Sequence, residues 1–346
     1  MIPTTTQLGV IQVTDLPDVP PAADYFGDPQ YDVPHWNETT FFEAWSPRTG
    51  IGVFLHMGRY PKDLDLRWCQ AITYLPGGAV TSDVHWGRNT DAGARTANLS
   101  IDVRDPLQHW TIRYDGAGEL SSSGQLVQGL SGAGVQVPVR WHLEAVAAAP
   151  PWNLRPAAGG AMPDFAQSSH SQQAYRVNGT VAVNGTEHQL DGIGCNDHSR
   201  GARDLTHFAG DQWVVGVMPG YVLHVINVWR ADEQPVLTTG AWFDTDGQRT
   251  VTAHRHSDHD IAGAPSEFPL IVDDGGVERR FAIEVLHGCT LSVTQQHDNL
   301  NGVGWQLPGD TVLLSESPIR LRDERGQLGY GHLERALRLN RATRPQ

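Results

Sequence analysis

The chain has 346 residues, 39% of them hydrophobic, and a formal charge of −14, with Lys62 the one lysine among its 25 basic residues. That length and apolarity build a real core, and the acidity argues against nucleic acid or an anionic membrane as partner. The 37 glycines and 22 prolines point to many turns between short elements.

The first residues carry no basic segment followed by an apolar one, so no signal peptide is expected. No apolar run approaches the length of a membrane span. Cys69, Cys195 and Cys289 are far apart and odd in number, which suggests no disulfide framework and fits a cytoplasmic location. Residues 1–34 are Pro-rich and read as an irregular arm. "ETTFFEAWS", the turn "PRTG" and "IGVFLHMGR" then form an aromatic-rich hairpin. Further strands are expected at 67–75, 97–104, 109–115 and 135–147. From Ala148 to Gln167 the composition shifts to Ala, Pro and Gly. A linker over 151–170 would then divide an N-terminal half, 35–150, from a C-terminal half, 171–346.

Beyond it, "AYRVNGTVAV-NG-TEHQL" sets Asn184-Gly185 between two alternating runs, a strong hairpin signal. "QWVVGVMPG" and "YVLHVINVW" read as buried strands. Three more strands are expected near 278–285, 290–296 and 311–322, and a short helix near 332–340. The fold class is all-β: two antiparallel barrel or sandwich halves packed together, with very little helix.

The densest run of chemistry is "GIGCNDHSRGARD", residues 192–204. Its glycines permit tight bends or close backbone approach. Asp197, His198, Arg203 and Asp204 then form either an acid–base site or an ion-pair latch that pins a loop to a barrel rim. In "HWNE", alternation separates His35 and Asn37 from Trp36 and Glu38, so the four cannot share a pocket without a bulge. In "GYGHLE", Tyr330, His332 and Glu334 share one face, either of a cavity or of an edge strand. His224 interrupts an apolar strand and reads as a core residue or a proton relay. "HRHSDH", with His254, His256, Asp258 and His259, has zinc-hydrolase spacing, but it lacks the helices and the following ligands of that fold. No phosphate-binding loop, dinucleotide fingerprint or nucleophile elbow is present.

These motifs also carry a resemblance. "GTVAVNGTEHQLDGIGCNDHSRGARD" resembles a G-x-G-x-R-D-H-S-W-G-x-R-D pattern of lipocalin-like proteins related to carotenoid 1,2-hydratase. "HWNETTFFEAWSPRTGIGVFLHMGRYP" and "GQLGYGHLERA" are similar to that group's opening and closing strands. Asn196 and Arg200 depart from it, standing where relatives have Arg and Trp. The resemblance implies paired lipocalin-like barrels with a ligand cavity at an apolar mouth or interface. It also implies water addition to, or loss from, a C=C bond of a terpenoid-, steroid- or polyketide-like molecule, without a cofactor. On that reading Asp197 or Asp204 donates the proton, His198 relays it and Arg203 orients a carboxylate. Trp213, Trp229 and Trp242 line the cavity, or merely fill the core. Isomerisation or cyclisation, a non-catalytic carrier and the zinc hydrolase are the alternatives. The expected partner is a hydrophobic small molecule, with no nucleic acid and no membrane span; a homodimer is compatible with this.

Overall fold

The computed structural model describes residues 19–60, 62–127, 134–157, 169–203, 208–230, 234–254, 267–293 and 312–338. Almost all of them are β. The first sheet contains β1 (Trp36–Ser46), β2 (Ile51–Tyr60), β3 (Asp63–Tyr74), β4 (Ala79–Arg88), β5 (Ala94–Arg95), β6 (Leu99–Asp105), β7 (His109–Ser122), β8 (Gln136–Ala147), β9 (Trp152–Asn153), β10 (Ser169–Val183) and β11 (Thr186–Ala202). The second contains β12 (Phe208–Met218), β13 (Tyr221–Arg230), β14 (Pro235–Asp244), β15 (Gly247–Ala253), β16 (Glu267–Asp274), β17 (Val277–Val285), β18 (Cys289–Val293), β19 (Val312–Asp323) and β20 (Leu328–Arg338). Two single-turn helices, at Ser123–Val127 and Leu154–Ala157, interrupt the first set.

Each sheet is an antiparallel meander that closes on itself. The first runs β1-β2-β3-β4-β7-β8-β10-β11, and β11 returns to pair with β1. The second runs β12-β13-β14-β15-β16-β17-β19-β20, and β20 returns to β12. Closure removes the exposed strand edges that would otherwise template aggregation. The change of sheet comes after Ala202, not at 151–170. The Pro/Ala-rich segment is a detour inside the first sheet, because β10 pairs back onto β8 from Tyr175 to Val183.

Three apolar cores follow from strand alternation. Phe42, Leu55, Trp110 and Tyr175 fill the first barrel. Val214, Leu223, Phe281 and Leu333 fill the second. Phe41, Trp45, Tyr74, Trp213 and Tyr330 pack between the two. Strand β1 serves two cores at once, which is why all eleven of its residues are buried and "ETTFFEAWS" lacks a polar face.

Two local expectations change. Residues 332–338 are strand, not helix: the spacing of Leu333, Ala336 and Leu337 fits a helical face, but pairing to β12 and β19 on both sides overrides it. The 192–204 run is not a glycine-bent rim as far as Ala202, because it forms the end of β11. Its Gly192 serves close approach: a Cβ there would stand 1.8 Å from the Trp45 carbonyl oxygen. Asn184-Gly185 forms the expected hairpin turn, with φ of 50° and 78°.

Candidate active site

Strand β11 sends its two central side chains to opposite faces. Asp197 faces the space between the barrels and His198 faces the mouth of the first barrel. The two environments are unlike.

His198 belongs to a buried latch. Its Nε2 lies 3.2 Å from Glu38 Oε1 and its Nδ1 lies 2.6 Å from the Ala23 carbonyl oxygen. Glu38 also receives Arg59 Nε at 3.0 Å and the Gly27 amide at 2.8 Å. Phe26, from the N-terminal arm, sits under the guanidinium groups of Arg59 and Arg67 at 5.3 and 4.3 Å. Burial alone would raise the Glu38 pKa, but His198, the Gly27 amide and Arg59 outweigh it and hold the carboxyl below its ordinary range. Glu38 is therefore a fully ionised anchor for cations.

Asp197 lines a cleft between the barrels, with about 100 Å³ of enclosed space. Phe41, Phe208, Trp213 and Ile226 form its apolar walls, and His56, His170, Gln172, Asp211, Glu316 and Glu334 bring polar groups to it. Register explains the gathering. Asp197 is the cross-strand partner of both Phe41 and Gln172, and Trp213 is the partner of Glu334. His170 Nε2 is ion-paired with Asp197. Burial would raise the Asp197 carboxyl, but His170, then His56 and Arg203, hold it below its usual value. His56, pressed edge-on to Trp68, is pushed down to about 4 by burial, against the pull of Asp197.

The opposite wall is acidic. Asp211 and Glu334 are hydrogen-bonded to each other, and Glu334 also bonds Glu316. Asp211 Oδ1 accepts the Ala336 amide at 3.0 Å. Behind them, His332 Nδ1 lies 2.9 Å from Glu43 Oε1 and its Nε2 lies 3.3 Å from Glu316 Oε2. The Tyr74 hydroxyl donates to Glu43 at 2.8 Å and stands 3.3 Å from Cys289 Sγ. Burial opposes charge on His332, yet Glu43 and Glu316 overcome it and push the imidazole up to about 10. One imidazolium cannot compensate four carboxyl groups. Burial, reinforced by mutual repulsion, pushes Asp211 and Glu334 well above the carboxylate range, and Glu316 rises too.

Of the candidates from sequence, Asp197, Arg203, Trp213 and Glu334 meet at this cleft, with His332 directly behind it. His198 and Glu38 instead form the latch. His35 is exposed, and its carbonyl accepts the Arg203 amide at 3.0 Å. His224 is buried between Trp152 and Phe243, and desolvation drives it down to about 3. Trp229 is buried against Gly210, and Tyr330 packs in the core between the barrels. Trp242 stacks on Tyr221 at 4.1 Å under Arg249. Asp204 lies outside the described residues, as do His256, Asp258 and His259; His254 directly follows β15, its amide bonded to the Ile271 carbonyl. Among the described residues, no three His, Cys, Asp or Glu side chains are grouped to hold a metal, and no helix is long and apolar enough to cross a membrane.

Two eight-stranded meanders joined around a polar cleft form a lipocalin-like fold. The chain belongs to the family described as Domain of unknown function (DUF7064), whose model matches residues 20–337. Its fold is similar to that of an AttH-like protein from Nitrosomonas europaea, with TM-score 0.61 and 13% identity over 94% of this chain and 98% of the other. It is also similar to kievitone hydratase from Nectria haematococca, with TM-score 0.55 and 11% identity over 95% and 96%. CghA with Sch210972 gives TM-score 0.54 and 11% identity over 95% and 97%. No curated protein matches the sequence.

Proposed function

We propose that this chain is an enzyme of acid–base chemistry that adds water to, or removes it from, a C=C bond of a hydrophobic small molecule bound between the barrels. The observation that carries the reading is the Asp211–Glu334 pair, two hydrogen-bonded carboxyls held well above their ordinary range at an aromatic-walled cleft. Such a pair keeps a proton at neutral pH and can deliver it to carbon. The fold shared with kievitone hydratase is consistent with this reading.

In the hydration direction, the pair protonates one alkene carbon and the positive charge develops on the other. The faces of Trp213 and Phe41, in edge contact at 5.7 Å, stabilise that charge. A water molecule held at the Asp197–His170 side attacks the cationic carbon. The resulting oxonium is so acidic that a weak base such as His56 or Asp197 suffices to take its proton. Dehydration runs the same steps backwards.

The test is a panel of alkenes and tertiary alkenols incubated with the protein and with Glu334→Gln, read by mass spectrometry for gain or loss of water. Turnover by the wild type and not by the variant supports the reading. Equal turnover by both contradicts the role of the carboxyl pair, and binding without turnover anywhere in the panel contradicts the reading and favours a carrier.

A further inference from the structure

A second constellation stands at one end of the first barrel and shares no residue with the cleft. Asp83 and His85 lie two apart on β4, so they point the same way. His85 Nδ1 is 2.8 Å from Asp83 Oδ2, and His85 Nε2 is 2.7 Å from Thr96 Oγ1. The same Asp83 oxygen accepts the Tyr114 hydroxyl at 2.6 Å. An ionised carboxylate only accepts, so His85 must donate from Nδ1. With the ring neutral, Nε2 is bare and the Thr96 hydroxyl donates to it. This is the order of groups that turns an alcohol into a nucleophile.

The surroundings support that order. Burial would raise the Asp83 carboxyl, but its bonds from His85 and Tyr114 hold it low, so it remains an acceptor. Burial and Asp83 push the Tyr114 phenol up, which keeps it a donor. Thr96 is half-exposed and lines an open groove of about 580 Å³ together with Asn98, Arg95, Arg113 and Arg140. Asn98 Nδ2 reaches Asp83 only at 3.5 Å, so its amide is weakly engaged beside the nucleophile. An amide in that position suits a developing oxyanion. Gly87 brings the pieces together: a Cβ there would meet Thr96 Cα and Ala97 N, each at 2.6 Å, so only glycine lets the 96–97 segment close onto β4.

We propose that Thr96, His85 and Asp83 form a second active site, one that hydrolyses small carboxylic esters through an acyl-threonine. The Thr96 oxygen bonds to the ester carbonyl carbon as its proton passes to His85 Nε2. The bond from carbon to the alcohol oxygen breaks, and the alcohol leaves with that proton. Water, deprotonated by the same nitrogen, then cleaves the acyl-threonine and releases the acid. Thr96 is the nucleophile and His85 the base. Asp83 is a positioning residue that fixes the tautomer.

The experiment uses the full chain with p-nitrophenyl acetate and, separately, a fluorophosphonate probe, followed by peptide mass spectrometry. The expected result is release of nitrophenol and an adduct on Thr96. Thr96→Ser keeps the adduct, and His85→Gln slows its formation roughly a thousandfold. Asp83→Asn shifts the pH profile of labelling, which a merely structural carboxylate would leave in place. Gly87→Ala slows labelling without altering any reacting group. The adduct map on the unmodified chain decides the matter even if a variant fails to fold: no adduct, or an adduct on another residue, overturns the proposal.

Discussion

Strand β1 carries two buried glutamates, Glu38 and Glu43, five residues apart and on opposite faces, and they live under opposite charge balances. Glu38 meets Arg59 and His198, with Arg200 at 3.7 Å, so two guanidinium groups face its one negative charge. Glu43 meets one cation, His332, which it shares with Glu316 in a cluster that also holds Glu334 and Asp211. The same residue type is thus an ionised anchor on one face and part of a proton-holding network on the other. Counting the charges around a buried carboxylate separates the latch from the acid, where identity and burial alone do not.

The largest expected effect that would break this comparison is on catalysis. Glu334→Gln is isosteric and keeps the fold, but it removes the donor; water addition should fall roughly 10²–10⁴-fold, measured as kcat with binding unchanged. Next is stability on the other face. Glu38→Gln leaves Arg59 and His198 buried with a lost partner and should cost about 3–5 kcal/mol in denaturant unfolding, with no change in the protonation of the cleft.

The pH dependence sharpens the contrast further, because the two faces have opposite signs. His332 is raised in the folded state, so its stabilising contribution is complete below about 6.5 and is lost as pH climbs to about 10. The His332 contribution has a slope of about 1.4 kcal/mol per pH unit, and His332→Gln should remove that part of the pH dependence, leaving the part due to the raised carboxyls. Glu38 is lowered, so its contribution is complete above about 4.5 and is lost as pH falls below that. Unfolding free energies measured across pH in the two variants separate these limbs. The smallest expected effect is that of Trp213→Leu, which removes one aromatic face of the cleft and should slow turnover about fivefold, or about 1 kcal/mol.

Much of the fold was legible in the sequence. Alternating β-rich runs and the Asn184-Gly185 turn indicated antiparallel barrels, because those signals are local. The change of sheet was not legible, because it depends on β10 pairing with a strand across the Pro/Ala segment. At the cleft, Asp197, Arg203 and Glu334 came from their motifs and Trp213 from the resemblance. Glu43, Asp211 and Glu316 were missed, although each is a lone acid in an apolar strand, in "FFEAW", "AGDQWVV" and "LSESPI". A lone buried acid is a signal in itself. Its partners stand up to 289 residues away, as Glu43 and His332 do, and only closure of both barrels brings them together. His198 was misplaced for a related reason: alternation along β11 parts it from Asp197, and that holds only once the segment is known to be a strand.

The most direct test of the account is the infrared spectrum of the resting protein in the carboxylic-acid carbonyl region at about pH 8, where ordinary carboxyl groups are ionised. The account predicts a protonated-carboxyl band that shifts in D₂O, weakens in Glu334→Gln and disappears in the Glu334→Gln/Asp211→Asn double variant. A spectrum with no such band at that pH would contradict it, because the cleft would then hold no proton to give.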